Sequence, residues 1–186
     1  MARPRKAGVR RDRNGKSRGE PEVIHPDVMA VRIREAFKDG IRPEDAKDQL
    51  AGFTLGRLLL RGRYGTPKDP GSISQEQYQA GIQWANIVRK HASIMGYKLD
   101  IHTPSFIMVG GGIDGRPEPE QRVILDIRRQ WSDCYHSLLE TAKVHGKRVM
   151  DVTYGVCVDN WPCGSLSTED YGLLRCGLNT LAKNFR

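Results

Sequence analysis

Apolar residues recur at intervals of three and four positions along most of the chain beyond residue 22, which is the spacing of a buried helical face. This pattern predicts helices over residues 27–39, 43–61, 72 or 74 to 95, 118 or 120 to 145, and 167–185. Ser72 or Ser74 is expected to cap the third of these, with Gln75 or Gln77 in the matching position, and Gly96 and Gly146 are expected to end the third and fourth. Residues 149–159 are also apolar, but their β-branched content fits a helix or a strand. We therefore expect a mainly α fold, with about five or six helices in one small domain over residues 23–186.

The helix over residues 167–185 is the best specified of these elements. Ser167 and Asp170 have the spacing of a helix start at which a side-chain oxygen accepts from the first backbone amides. One helical face then carries Tyr171, Leu174, Leu178, Leu181, Ala182 and Phe185. We expect this face to pack on the long helix over residues 120–145, whose Trp131 is predicted to fill the middle of the domain.

Two segments lack this periodicity. Residues 1–22 are rich in Arg, Lys, Gly and Pro and are expected to be a disordered arm. Residues 97–119 are expected to be an irregular Gly- and Pro-rich loop with a short strand-like run at 105–109. Gly110–Gly115 matches G-x-G-x-x-G, but no βαβ pattern surrounds it, so we predict a loop and no cofactor.

The net charge of +8 is concentrated in the arm. Residues 1–19 contain eight basic residues and one acidic residue, so the remaining 167 residues carry a net charge of only +1. An uncompensated basic arm binds nucleic-acid phosphates and a neutral body does not. The candidate phosphate-binding residues of the arm are Arg3, Arg5, Lys6, Arg10, Arg11, Arg13, Lys16 and Arg18.

A second candidate nucleic-acid surface lies beside the apolar face of the last helix. It consists of Arg175, Asn179, Lys183 and Arg186 on the helix over residues 167–185. Arg and Asn side chains read base edges and hold phosphates. The alternative is a solvated face with cations near the negative end of the helix dipole. A helix-turn-helix is not indicated, since about seven residues including Pro162 separate this helix from the preceding segment.

Catalytic and metal-binding patterns are weak. The chain has no G-x-S-x-G or H-E-x-x-H motif, so we do not expect an enzyme, although an enzyme remains the minor alternative. The spacings of Cys134, Cys157, Cys163 and Cys176 do not match those of structural zinc sites, and we expect reduced core thiols. Whether these cysteines bind a metal is left open by the sequence, and so is the oligomeric state.

The hydropathy pattern also bears on location. No apolar run approaches the length of about 20 residues that a membrane-spanning helix needs. The basic N-terminus is not followed by the apolar region of a secretory signal. We therefore expect a cytoplasmic protein without a membrane partner.

Three segments resemble a group of small helical proteins encoded by phages and prophages. They are Ala51–Leu58, Ile73–Gly81 and Leu174–Ala182, preceded by the Lys/Arg/Gly-rich arm. The resemblance implies a viral protein in the cytoplasm of a host cell, where small basic helical proteins regulate transcription or assist genome packaging. It supplies no catalytic residues.

Two functions follow as expectations. The first is a nucleic-acid-binding accessory or regulatory protein, with DNA as the expected partner. The second is an interaction or assembly adaptor without intrinsic DNA specificity, whose body binds a phage or host protein such as a polymerase or a packaging motor. The sequence does not identify the partner, does not separate DNA from RNA, and does not establish sequence specificity.

Overall fold

Helices dominate the computed structural model, which describes residues 26–64, 71–97 and 121–186. Within these ranges there are six α-helices and no β-strand, so the predicted mainly α fold is confirmed. The helices are α1 (Pro26–Lys38), α2 (Thr54–Tyr64), α3 (Gln75–Met95), α4 (Gln121–His145), α5 (Arg148–Cys157) and α6 (Thr168–Asn184). The arm at 1–22, the G-x-G-x-x-G run and nearly all of the 97–119 segment lie outside the described residues.

Helix α6 packs against α3, α4 and α5, and its apolar face forms the centre of the core. Leu174, Leu178 and Leu181 are fully buried. Each such side chain contributes about 1.5–3 kcal/mol through the loss of apolar surface from water. The predicted start is confirmed, since the Ser167 side chain accepts from the Asp170 N–H and the Asp170 carboxylate accepts from the Ser167 N–H. The packing role predicted for this helix is therefore present.

Helix α3 begins at the second of its two expected caps, and it ends at the expected glycine. Ser74 and Gln77 form a reciprocal capping box, and Gly96 ends the helix with a left-handed φ of 72°. The large aromatic residue in the core belongs to this helix, because Trp84 is 2% exposed. The prediction that Trp131 fills the middle of the domain is wrong: Trp131 is only partly buried and packs against the edge of the core.

Helix α4 has nearly the predicted bounds, and Gly146 ends it with a φ of 87°. Its buried positions are confined to the second half, where Cys134, Leu138 and Ala142 face the core. The first turns of α4 extend beyond the end of α3. Met95, the last residue of α3, has its Sδ 3.5 Å from Arg128 Nη2. Within the described part of the chain, Val123 is therefore 46% exposed, although its helical spacing predicted a core position.

The single helix predicted over residues 43–61 is wrong. The chain instead forms two short 3₁₀ turns, Asp45–Lys47 and Gln49–Gly52, before α2 begins at Thr54. The backbone is extended at Asp48, whose carboxylate accepts from the Leu50 N–H, a local bond that competes with helix formation. Gly56 permits the resulting fold, because a side chain there would overlap the Leu50 carbonyl.

The start of α2 is fixed by a residue far away in sequence. The Thr54 N–H donates to Asn160 Oδ1 at 2.8 Å. Asn160 adopts a left-handed φ of 56°, which Asn tolerates better than most residues. The loop between α5 and α6 thus holds the beginning of α2.

The segment over residues 149–159 is helical, which resolves the alternative left by its sequence: α5 covers Arg148–Cys157. Helices α5 and α6 approach closely at Gly177, where a Cβ would overlap the Thr153 side chain. None of the described helices has both the length and the apolarity needed to cross a membrane.

Candidate functional site

The second candidate surface, which we call the α6 stripe, lies at the surface of the body and consists of Arg175, Asn179, Lys183 and Arg186. Two of these four residues are engaged with the start of α3. Gln77 Nε2 donates to Asn179 Oδ1 at 2.8 Å. Arg186 Nε donates to Glu76 Oε1 at 2.9 Å. These contacts join α3 to α6 and reduce the capacity of both side chains to bind an external ligand.

The other two residues of the stripe are Arg175 and Lys183. Arg175 is half-buried and Lys183 is exposed in the last turn of α6, where a cation stabilises the negative end of the helix dipole. The structure therefore brings the four residues onto one face, with two available for phosphate contacts. The eight basic residues of the arm lie outside the described residues.

A cleft of about 420 Å³ on another side of the body was not predicted from the sequence. All three tryptophans of the chain line it. We call this site the aromatic cleft, and its walls consist of Trp84, Trp131, Tyr135, Leu138, Arg148, Met150, Asp151, Tyr154, Asp159 and Trp161.

Two rings of the aromatic cleft, Trp131 and Tyr135, belong to a stack of three whose third ring, His91, is not part of the lining. The His91 ring lies 4.5 Å from the Trp131 ring, and the Tyr135 ring lies 5.0 Å from it on the same helix as Trp131. The interplanar angles are 9° and 11°, so the three rings are nearly parallel. Such contacts add about 0.5–1.5 kcal/mol per pair beyond burial. The stack fixes the orientation of Trp131 at the boundary between α3 and α4.

Trp161 also lines the aromatic cleft, and it lies on the backbone of α5. A Cβ at Gly155 would overlap the Trp161 ring, so only glycine permits this contact. The Trp161 N–H donates to the Gly155 carbonyl at 2.9 Å. The Arg148 guanidinium lies 5.9 Å from the Trp161 ring centroid, within the range of a cation–π contact.

Arg148 is held in place by Asp170 at the start of α6. Its Nε and Nη2 donate to the two carboxylate oxygens of Asp170 at 2.9 and 3.2 Å. The Arg148 hydrogen bonds, together with those from Ser167, lower the pKa of Asp170 from 3.8 to about 2. The same pair raises the pKa of Arg148. Asp170 is therefore both a helix cap and the anchor of a cleft residue.

The acidic groups of the aromatic cleft outnumber its basic ones. Asp151 and Asp159 contribute carboxylates, whereas Arg148 is the sole basic residue among the described residues of the lining. Burial, followed by the negative charge of Asp159, raises the pKa of Tyr154, so its hydroxyl stays neutral at physiological pH.

Sequence reasoning missed the aromatic cleft because its residues come from α3, α4, α5 and the loop after α5. Trp131 was predicted to lie in the core. A usable signal was the pair Gly155 and Trp161, since a helical glycine six residues before a tryptophan permits close approach of the ring. The periodicity of apolar residues does not distinguish that arrangement from ordinary packing.

The thiols and histidines show no arrangement for chemistry in the described ranges. Cys134, Cys157 and Cys163 are buried as predicted, and Cys176 is partly exposed. Burial raises the pKa of Cys157 and of Cys163 to about 12, so neither provides a thiolate at neutral pH. No three His, Cys, Asp or Glu side chains converge there as metal ligands.

Comparison with known proteins gives no relative for this chain. No protein-family model matches it, and neither the curated proteins nor the solved structures yield a match.

Proposed function

We propose that this protein is a nucleic-acid-binding accessory protein in which the basic arm provides the affinity and the helical body provides a second interaction surface. The observation that carries the proposal is the distribution of charge. Residues 1–19 account for a net charge of +7, and the other 167 residues account for +1. DNA is the expected nucleic acid, and transcription regulation or genome packaging is the expected role.

The contacts of the body support a division of labour between arm and body. Asn179 and Arg186 are used to join α6 to α3. Two basic side chains, Arg175 and Lys183, then remain for phosphate contacts on the α6 stripe. Two contacts supply little affinity compared with the eight basic residues of the arm. The α6 stripe thus orients the body on the nucleic acid, and the arm holds it there.

Salt dependence provides the test. The affinity of the full chain for a short DNA duplex should fall steeply with salt, with a slope of log K against log salt of about −0.9 per phosphate contact. Deletion of residues 2–19 should remove most of the binding and flatten the slope. Unchanged affinity in the truncated protein would refute the arm as the binding element.

The body is tested by a double substitution at the α6 stripe, Arg175→Ala with Lys183→Ala. We expect the salt slope to become shallower by at most about 2, with a modest loss of affinity. The matched control removes two exposed cations from α4, through Arg129→Ala with Lys143→Ala. Equal effects of the two double substitutions would show that the stripe has no special role.

The alternative function is an interaction or assembly adaptor with no intrinsic DNA specificity. The nearly neutral body favours it, and so does the aromatic cleft, since tryptophan, tyrosine and arginine are enriched in protein interfaces. Co-purification of a stoichiometric protein partner, with no DNA binding at moderate salt, would support the adaptor and contradict the arm-based proposal.

A further inference from the structure

We propose that the outer face of α1 binds the bases of single-stranded nucleic acid, with the ring of Phe37 as the stacking surface. The outer face consists of the exposed side chains Val31, Arg34, Phe37 and Lys38. The inference rests on the proposed function, which it deepens by naming the class of nucleic acid that the body contacts. These residues belong neither to the α6 stripe nor to the aromatic cleft.

The other side of α1 is joined to the body. There Ile33 packs against a small apolar cluster that includes Ile41 and Leu60. Asp39 directly follows the helix, and one of its carboxylate oxygens lies 2.6 Å from Arg57 Nε of α2. Both side chains of this ion pair are only 10% exposed. The outer face is therefore presented by a helix that is anchored at its C-terminal end.

The outer face combines an open ring with positive charge. Within the described part of the chain, Phe37 is 71% exposed and Val31 is 55% exposed. Single exposed apolar side chains are common on protein surfaces. Here two of them flank a cation, because Arg34 is exposed and lies three positions from each, on the same side of the helix. Proteins bind single strands with this combination, in which the ring stacks on a base and the cation contacts a phosphate.

The basic arm precedes this face closely along the chain. Arg18, its last basic residue, is eight positions before Pro26, the first residue of α1, so the two are at most about 29 Å apart. Phe37 lies 11 positions further, which is about 16 Å along the helix. The ring is thus within reach of a strand whose phosphates are bound by the arm.

The chemistry of Phe37 selects single strands over duplexes. In a duplex the faces of the bases are stacked on one another, and proteins meet only the base edges in the grooves. A phenyl ring has no group that forms hydrogen bonds with those edges. Unpaired bases leave their faces open, and stacking on an aromatic ring tolerates any base. We therefore expect Phe37 to contribute to single-strand binding without sequence preference.

A protein interface is the principal rival, since exposed aromatic residues also suit one. The exposed cation at Arg34 and the eight basic residues of the arm favour a polyanion instead. The two interpretations differ in what they require at position 37. A base stack needs an aromatic ring, whereas an apolar protein contact accepts leucine.

The test measures the fluorescence anisotropy of a labelled oligothymidylate and of a duplex of the same length, each titrated with the full chain. The strand should exceed the roughly 4–16 nucleotides of a single-strand site. We expect Phe37→Ala to weaken binding of the single strand about tenfold and to change binding of the duplex less than about twofold. The slope of log K against log salt should stay the same, because the ring carries no charge.

Matched variants separate the ring from its surroundings. Phe37→Leu should lose as much single-strand affinity as Phe37→Ala, and Phe37→Trp should retain it. Arg34→Gln should make the single-strand salt slope shallower by about 0.7, the value for one phosphate contact. The control is Val144→Ala, which removes an apolar side chain that is 78% exposed on α4 and should have no effect. Circular dichroism checks that each variant keeps its helical content.

The outcomes distinguish this inference from the proposed function. A full chain that binds neither oligonucleotide would contradict both. A full chain that binds, with less than a twofold change for Phe37→Ala, would overturn the stacking site and leave the arm-based proposal in place. Full single-strand affinity of Phe37→Leu would also overturn it, and so would an equal loss on the duplex.

Discussion

The two sides of α5 show how differently one ten-residue helix can be used. On the core side, Val149, Val152 and Val156 are at most 2% exposed, and Thr153 lies against Gly177 of α6. On the cleft side, Tyr154 is half-buried and Asp151 is exposed. The core side is closely packed, whereas the cleft side carries rings and charged groups that line the aromatic cleft. Packing accounts for the first side, and the second side is the place to look for function.

Removing a core side chain should give the largest effect on stability. Leu178 is fully buried next to Gly81 and near Cys157. We expect Leu178→Ala to lower the free energy of unfolding by about 2–5 kcal/mol, because it leaves a cavity that the helices cannot close. Urea denaturation measures the change. Leu139→Ala on α4, at a position 36% exposed, is the control and should cost less than half as much. Similar losses would show that the core is not centred on α6.

A methyl group added at Gly155 should disturb the cleft wall. The new Cβ would overlap the Trp161 ring, so the ring must move away from α5. We expect Gly155→Ala to lower the free energy of unfolding by about 1–3 kcal/mol and to shift the tryptophan emission. The control is Gly172→Ala on α6, where nothing lies within 4 Å of the new atom.

The two glycine substitutions should act in opposite directions. Alanine favours a helix over glycine by about 1 kcal/mol, so Gly172→Ala should be neutral or stabilising. A neutral Gly155→Ala with an unchanged emission spectrum would mean that Trp161 does not lie on Gly155 in solution.

Loss of the ion pair between Arg148 and Asp170 should have the smallest effect on stability, and that effect should depend on pH. Folding lowers the pKa of Asp170 from 3.8 to about 2. The stabilisation is therefore complete above pH 3.8 and is lost as the pH falls towards 2. We expect Asp170→Asn to lower the free energy of unfolding at neutral pH by about 1–2 kcal/mol. Denaturant titrations across this pH range should show the difference between the two proteins shrinking in acid.

The exposed ion pair between Arg186 and Glu76 is the control for Asp170. Both of its side chains are more than half exposed, so Glu76→Gln should change stability by less than about 1 kcal/mol. An Asp170→Asn protein whose stability falls in parallel with that of the original chain between pH 4 and 2 would contradict the assigned role of Asp170.

The sequence predicted the parts of the fold that depend on local chemistry. Ser167 with Asp170 and Ser74 with Gln77 act as caps within four residues, and Gly96 and Gly146 end helices through their own backbone freedom. The break at Asp48 was missed although its cause is also local, since the Asp48 carboxylate accepts from the Leu50 N–H. Its apolar neighbours have helical spacing, and that spacing does not show which of the two local tendencies prevails.

The site was predictable only in part. The arm could be identified from composition, since charge density does not depend on folding. The aromatic cleft depends on rings that are distant in sequence, and the stack of Trp131 with His91 joins two helices separated by residues 96–120. Apolar periodicity gives the same signal for a ring inside the core as for a ring at its edge. The position of a tryptophan therefore required the structure.

The hydrogen bond from Thr54 to Asn160 has a consequence for the order in which the chain acquires its structure. It joins residues 106 positions apart, so the entropy of closing that loop must be overcome before the bond forms. The Thr54 N–H gains this partner only once the segment between α5 and α6 is in place. Loss of the C-terminal third therefore also releases the start of α2. Asn160 thus adds a polar link between α2 and the C-terminal helices to the one made by the shared apolar core.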